Sequence, residues 1–122
     1  LVDLAGAENL NDVYYTTQFT ALNENALVDE FVANYTERYG SEPDMFAAMA
    51  YDAAYVMRDA IERAGSDNRQ AINEALAETN GFEGVTGTFS YDDMHNPSKS
   101  VTILELQNGT PVNTYVVDPE SL

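Results

Sequence analysis

The sequence predicts a mixed α/β fold in which one strand precedes three helices, and a β-meander with a hairpin follows them. A β-branched and aromatic run, Val13–Phe19, predicts the opening strand. Apolar residues then recur at helical spacing up to about residue 80, and after Gly81 the period changes from 3.6 to 2. We therefore expect one domain-sized unit of 122 residues that passes from helices to strands.

The first helix is expected between an asparagine cap and a glycine stop. Asn23 or Asn25 can cap it, because an amide oxygen accepts hydrogen bonds from the free N–H groups of the first turn. Gly40 can end it, because glycine tolerates the left-handed conformation of a helix C-terminus. The apolar positions between these ends follow one helix face: Leu27, Val28, Phe31, Val32 and Tyr35.

The second helix has the longest periodic stretch. Pro43 suits a first-turn position, Asp44 favours the positive end of the helix dipole, and Gly65 is the expected stop. Tyr51 and Tyr55 lie one turn apart, and this spacing favours core packing over an exposed aromatic platform. The stripe expected to face the core consists of Phe46, Ala50, Ala53, Ala54, Met57, Ala60 and Ile61.

A shorter third helix follows. Ser66 or Asp67 can cap it, and its apolar positions run through Ile72, Ala75 and Leu76. We expect it to end near Asn80-Gly81.

The remaining residues alternate as strands do. The sequence predicts strands at Val85–Tyr91 and Ser100–Leu106, separated by a turn cluster at Asp92–Pro97. Asn108-Gly109 then predicts a two-residue hairpin, because a type I′ turn needs positive φ at both central positions.

The charge balance is strongly acidic. The chain carries 21 acidic and 5 basic residues, for a formal net charge of −16, and Lys99 is its only lysine. Such a surface repels the phosphates of nucleic acids and anionic membranes, which excludes nucleic acid as a partner. The absence of cysteine excludes disulfides, thiolate metal sites and cysteine nucleophiles.

Four short motifs occur in an order typical of one family. They are Tyr39-Gly40, Pro43-Asp44, Tyr51-Asp52-Ala53 and Glu83-Gly84-Val85-Thr86-Gly87. In this order they resemble the C-terminal third of the extracytoplasmic solute-binding proteins of branched-chain amino-acid ABC transporters, which have the type I periplasmic-binding-protein fold. The resemblance covers about residues 10–113 and is strongest over 35–65 and 82–109. Because such two-lobed receptors have roughly 340 residues, it implies that the chain is a fragment.

The resemblance also implies a division of the chain. Residues 1–12 would be the tail of a preceding unit, and residues 13–87 the crossover strand plus helices of the first lobe. Residues 88–122 would supply the return crossover and the terminal strands of the second lobe.

In this family the ligand lies in the cleft between the lobes, and the resemblance places the start of the second helix on the cleft rim. Phe46 is the expected apolar wall against a ligand side chain, with Met45 and Ala47 beside it. Gln18 and Thr17, at the end of the first strand, are further candidates. The alternatives are that Phe46 is a core residue of its helix and that the two polar residues form one face of a hinge strand.

Other constellations of reactive residues give no site. Asp92, Asp93 and His95 lack the spacing of a calcium loop and a second histidine, so a solvated turn is expected. Gly84-Val85-Thr86-Gly87 has no following lysine, and its glycines are expected to let a hinge turn instead of cradling a phosphate. No catalytic motif, metal site or cofactor is predicted, so the chain is not expected to be an enzyme.

The predicted function is that of the family: an extracytoplasmic solute-binding component of an ABC transporter, which captures an amino acid or small organic ligand for a membrane permease. No segment has the layout of a signal peptide or the roughly 20 apolar residues of a bilayer span. The periplasm, or the cell surface as a lipoprotein in a single-membrane bacterium, is therefore inferred from the resemblance alone. Alternatives are a ligand-sensing receptor domain of the same fold and a freestanding acidic α/β interaction module. A fragment is also expected to form homo-oligomers through apolar surface left uncovered.

Overall fold

In the computed structural model, which describes residues 1–23 and 25–118, helices combine with two three-stranded antiparallel sheets. The helices are α1 (Val2–Ala5), α2 (Ala26–Tyr39), α3 (Met45–Ala64) and α4 (Arg69–Ala77), with a 3₁₀ turn at Ala7–Asn9. The strands are β1 (Val13–Thr17), β2 (Phe82–Gly84), β3 (Gly87–Tyr91), β4 (Pro97–Lys99), β5 (Val101–Gln107) and β6 (Thr110–Val117). The predicted order of strand, three helices and meander is confirmed.

The first sheet has the order β1-β5-β6, so that the opening strand pairs with a strand almost ninety residues further along the chain. Asn108 and Gly109 join β5 to β6 with φ of 49° and 71°, as the hairpin prediction required. The same turn is hydrogen-bonded to the N-terminal segment. The Gly109 N–H donates to the Leu10 carbonyl at 3.1 Å, and the Asn108 N–H donates to Oδ1 of Asn11 at 2.9 Å.

The second sheet has the order β2-β3-β4 and departs from the predicted strands. The expected strand Val85–Tyr91 begins only at Gly87, because Val85 and Thr86 form the two-residue turn of the β2–β3 hairpin. We call these two residues the β2–β3 turn. The glycines around it therefore flank a hairpin within this chain. The sequence predicted no strand at Pro97–Lys99, but these residues pair with β3 as an edge strand.

The helix ends follow local capping chemistry. Asn25 caps α2 by accepting from the Leu27 N–H, and Asp44 caps α3 by accepting from the Ala47 N–H, both at 2.8 Å. Pro43 therefore precedes the cap and is not in the first turn. The predicted stops at Gly40 and Gly65 are confirmed, and both have a left-handed conformation.

The third helix is capped by Asn68 and not by Ser66 or Asp67. The Asn68 side chain accepts from the N–H groups of Gln70 and Ala71, whereas the Ser66 hydroxyl accepts from the N–H of Asn68 itself, before the helix begins. The helix ends at Ala77, a few residues before the predicted stop.

The core cluster of the helical part consists of Phe19, Val28, Phe31, Ala48 and Val85. On α3, the buried line is Ala48, Asp52, Val56 and Ala60. The predicted stripe is therefore wrong apart from Ala60, since its other members are exposed. The helix packs through a line of small side chains four residues apart, and its larger apolar side chains face outward.

Two further expectations are wrong, one on α3 and one at the end of β1. Tyr51 and Tyr55 are exposed although their spacing predicted core packing, and their rings contact each other at a tilt with centroids 4.6 Å apart. The opening strand ends at Thr17 and not at Phe19, because the Thr17 hydroxyl donates to the Phe19 carbonyl and closes a turn.

Candidate functional site

The candidate ligand residues lie on two segments that meet at the core cluster. Thr17 and Gln18 directly precede Phe19, and Met45, Phe46 and Ala47 directly precede Ala48. Phe19 and Ala48 are both members of the core cluster. The fold therefore brings the end of β1 and the first turn of α3 to one place, although they lie about thirty residues apart in sequence.

Phe46 does not belong to the core. Its side chain is 72% exposed, the highest exposure of any aromatic residue among residues 1–23 and 25–118. Its neighbour Met45 packs against the core cluster and fixes the first turn from which the ring projects. The core interpretation of Phe46 is therefore wrong for this chain, and cleft contact stays a prediction.

The other three candidates differ in what their side chains are free to do. Gln18 is half-buried and lines a cavity of about 680 Å³ between α3 and the second sheet. Ala47 borders a different cavity, of about 660 Å³, between α2 and α3. The Thr17 hydroxyl is buried and already bonded to the Phe19 backbone. The five residues thus lie around one core cluster but do not line one shared cavity.

A buried carboxylate in the larger cavity escaped the sequence analysis. Asp52 accepts hydrogen bonds from the N–H groups of Val85 and Thr86 and from the Thr86 hydroxyl. Lys99 donates to the same hydroxyl, and burial lowers the pKa of its amine while the Asp52 carboxylate opposes that shift. The sequence signal for this buried carboxylate was an acidic residue within a line of apolar residues that lie four positions apart on the helix.

The smaller cavity is lined by aromatic rings. The Phe31 ring on α2 contacts the Tyr51 ring on α3 in a tilted arrangement, with 4.7 Å between ring centroids, and Tyr35 lies 5.8 Å from Phe31 on α2 itself. The hydrogen bond that the Tyr51 hydroxyl shares with Tyr55, together with partial burial, raises the pKa of Tyr51 to about 12. The Tyr51 hydroxyl therefore stays protonated at neutral pH.

The acidic turn has the geometry of a solvated loop. Asp92 accepts from the N–H groups of Met94 and Asn96, and these bonds hold its pKa below the usual range. Across residues 1–23 and 25–118, no group of three or more His, Cys, Asp or Glu side chains could hold a metal ion. Within the same residues, no helix combines the length and apolarity that crossing a membrane requires.

Comparison with known proteins places this architecture in a class of two-lobed receptors. The sequence profile described as periplasmic binding protein matches residues 1–111. The chain therefore belongs to the periplasmic binding protein family, a non-enzymatic family, as a segment of the solute-binding proteins of ABC transporters. No curated protein matches it.

Solved structures give the same result in three dimensions. The chain is 34% identical to the leucine binding protein LivK of Thermotoga maritima, with a TM-score of 0.81 over 99% of this chain and 35% of that one. It is 35% identical to LivJ of Streptococcus pneumoniae, solved with isoleucine, with a TM-score of 0.82 over 97% of this chain and 34% of that one.

A third structure shows a different ligand in the same class. A solute-binding protein of an ABC transporter from R. palustris, solved with benzoate, is 25% identical, with a TM-score of 0.74 over 99% of this chain and 35% of that one. The chain spans about a third of the length of these relatives.

Proposed function

We propose that the chain is part of the extracytoplasmic solute-binding component of an ABC transporter, which captures a branched-chain amino acid or a related small carboxylate and delivers it to a membrane permease. The similarity of 34–35% to a leucine and an isoleucine receptor supports this ligand class. The benzoate complex of a more distant relative makes aromatic acids the next class to test. The family supports a periplasmic location, or attachment to the cell surface as a lipoprotein.

The observation that carries the proposal is the placement of Phe46. Its ring projects from a first turn that Met45 anchors in the core and that the Asp44 cap closes. A rigidly mounted aromatic ring offers an apolar ligand contact area at little cost in conformational entropy. Phe46 would form one wall for an aliphatic or aromatic ligand side chain, with Met45 and Ala47 shaping its base.

Gln18 would supply a polar contact on the other segment. Its side chain makes no hydrogen bond within the described residues, although it is half-buried. A free amide at such a position can donate to a carboxylate or accept from an ammonium group. Thr17, whose hydroxyl is bonded to the backbone, would position this amide.

In this proposal the chain is divided between two lobes, and each sheet contains strands from both sides of the division. Residues 13–87 would belong to the first lobe with its crossover strand, and residues 88–122, of which 119–122 lie outside the described residues, to the return crossover and second lobe. The ligand would lie between this segment and parts of the receptor that the chain does not contain.

The test is calorimetric titration of the receptor that contains this segment with leucine, isoleucine, valine and benzoate. Phe46→Ala should weaken binding by more than about 1 kcal/mol and leave the melting temperature nearly unchanged, because the ring lies outside the core. Met94→Ala is the matched control, since that side chain is 76% exposed in the turn between β3 and β4. Unchanged affinity in Phe46→Ala would remove Phe46 from the site.

The chain alone provides the second arm of this test. It should bind these ligands weakly or not at all, because one edge of a cleft leaves ligand desolvation uncompensated. Micromolar affinity of the isolated chain would contradict the two-lobed site. Light scattering on the same sample reports whether copies associate through the exposed apolar side chains of α3, such as Met49, Met57 and Ile61.

A further inference from the structure

Asp52 is a carboxylate at the centre of the buried line of α3, only 4% exposed. Its Oδ1 accepts from the Val85 N–H at 2.8 Å, and its Oδ2 accepts from the Thr86 N–H at 2.8 Å and from the Thr86 hydroxyl at 2.5 Å. Both residues of the β2–β3 turn are therefore held by one side chain that lies more than thirty residues earlier in the sequence.

The neighbouring residues are shaped around this contact. A Cβ added at Gly84 would lie 2.6 Å from Cγ of Asp52 and 2.7 Å from its Oδ1, so a larger residue cannot occupy that position without moving the carboxylate. Gly84 also lacks the positive φ of the other six glycines, so space and not backbone conformation requires glycine here. On the far side, Lys99 donates to the Thr86 hydroxyl.

The turn held in this way also belongs to the core cluster. The Val85 N–H bonds to Asp52, while the Val85 side chain packs in the cluster with Phe19 and Ala48. Gln18 and Ala47 directly precede those two residues, and Phe46 lies one position earlier. A displacement of the β2–β3 turn would therefore loosen both segments that carry the candidate ligand residues.

We propose that Asp52 is a positioning residue for the ligand site: by holding the β2–β3 turn against α3, it fixes the core cluster from which Phe46 and Gln18 project. The hydrogen bonds are charge-assisted, and the carboxylate that accepts them is only 4% exposed, which makes the arrangement stiff. The effect on ligand binding rests on the proposed function, whereas the holding of the turn does not.

The first experiment measures amide hydrogen exchange in the 122-residue chain without ligand. Asp52→Asn replaces an acceptor oxygen by an NH₂ group, so it cannot accept at both oxygens. The Val85 and Thr86 amides should exchange at least about ten-fold faster than in the unchanged chain, while the Ile103 amide in β5 keeps its rate. Wild-type rates at both turn amides in Asp52→Asn would overturn the proposal.

Matched variants keep this result interpretable. Asp59→Asn lies on the same helix and loses the contact of Asp59 with Arg63, so it should leave the turn amides unchanged. If Asp52→Asn does not fold, Thr86→Val decides, because it keeps the Asp52 carboxylate and removes the hydroxyl that donates to it and accepts from Lys99. It should speed exchange of the Thr86 amide, and Thr86→Ser should restore the slow rate; equal rates in Thr86→Val and the unchanged chain would overturn the proposal.

The second experiment uses the receptor that contains this segment and titrates it with leucine and isoleucine. Asp52→Asn should weaken binding by the folded protein about ten-fold, with Thr86→Ser close to the unchanged receptor. A lower melting temperature with unchanged affinity would show a purely structural role and overturn the positioning. If the unchanged receptor binds neither ligand, the proposed function and the ligand part of this inference fail, and the exchange rates still decide whether Asp52 holds the turn.

Discussion

The two buried carboxylates, Asp52 and Glu105, satisfy their hydrogen-bonding capacity with different kinds of partner. Asp52 is 4% exposed and bonds to backbone N–H groups of a turn far along the chain, whereas Glu105 is 8% exposed and bonds to side chains of its own sheet. Glu105 accepts from Gln107 at 3.0 Å, from Asn113 at 2.8 Å and from Tyr115 at 3.3 Å. Neither carboxylate forms an ion pair within the described residues.

The difference lies in what each carboxylate holds. Three partners of Glu105 lie two, eight and ten residues away, and Tyr14 of the adjacent β1 also interacts with it, so all of them are on strands already paired by backbone hydrogen bonds. The bonds of Asp52 join a helix to a hairpin of another sheet. A buried carboxylate with backbone partners therefore determines how elements are arranged, while one with neighbouring side-chain partners adjusts a surface that is already formed.

The largest effect is expected from Gly84→Ala. The added methyl group would push the Asp52 carboxylate off the β2–β3 turn, and we expect the free energy of unfolding to fall by about 3 kcal/mol from overpacking and unsatisfied amides. Urea denaturation measures this loss.

A double-mutant cycle tests the cause. In an Asp52→Ala background the carboxylate is absent, so Gly84→Ala should cost far less. Additive losses in the double variant would mean that the methyl group acts through something other than Asp52.

A smaller effect is expected from Glu105→Gln, and it should depend on pH. The hydrogen bonds from Asn113 and Gln107 hold the pKa of Glu105 below its ordinary 4.5, so the folded state favours the ionised carboxylate. This contribution is present above pH 4.5 and is lost as the pH falls through the pKa of the folded state. The difference in melting temperature between the unchanged chain and the variant should therefore narrow in acid.

Glu83→Gln serves as the control for losing one negative charge, since Glu83 is exposed on a short strand. A difference between the unchanged chain and Glu105→Gln that stays constant from neutral pH to pH below 4 would contradict the assignment of the effect to Glu105.

The smallest effect is expected from Tyr51→Phe. Unlike Asp52 and Glu105, Tyr51 carries a hydroxyl that is neutral at neutral pH. The pKa of Tyr51 is raised from 10.0 to about 12, so its protonated form stabilises the fold below pH 10, and this stabilisation is lost as the pH rises from 10 to about 12. Ultraviolet titration of the tyrosines should lose its component near pH 12 in the variant. Persistence of that component in Tyr51→Phe, with Tyr39→Phe as the control, would assign it to another ring.

Features that depend on local chemistry were predictable from the sequence. Asn25, Gly40 and Gly65 mark helix ends because a cap or a left-handed glycine acts within one turn. The Asn108-Gly109 hairpin is confirmed for the same reason. These residues determine the order of elements, and the order was correct.

The buried face of α3 was not predictable. Periodicity gives the spacing of residues along one face, but it does not tell which face packs against the rest of the fold. Larger apolar residues favoured the stripe from Phe46 to Ile61, yet the neighbouring line with Ala48 and Asp52 is buried. A carboxylate is buried in that line because the amides of Val85 and Thr86, more than thirty residues further along the chain, donate to it. The motifs containing Asp52 and the β2–β3 turn were both visible in the sequence, but their contact was not.

The hydrogen bonds that join Leu10 to Gly109 and Asn11 to Asn108 have a consequence for recombination between relatives. A cassette cut at these two places has both borders at one corner of the molecule, with 3.1 Å between the N and O atoms of the first pair. Segments with adjacent borders can be exchanged or inserted with little strain on the host. Residues 10–109 therefore form a natural unit for building chimeric receptors. In such a chimera this segment, about a third of the whole receptor, is exchanged and the rest of the receptor is kept.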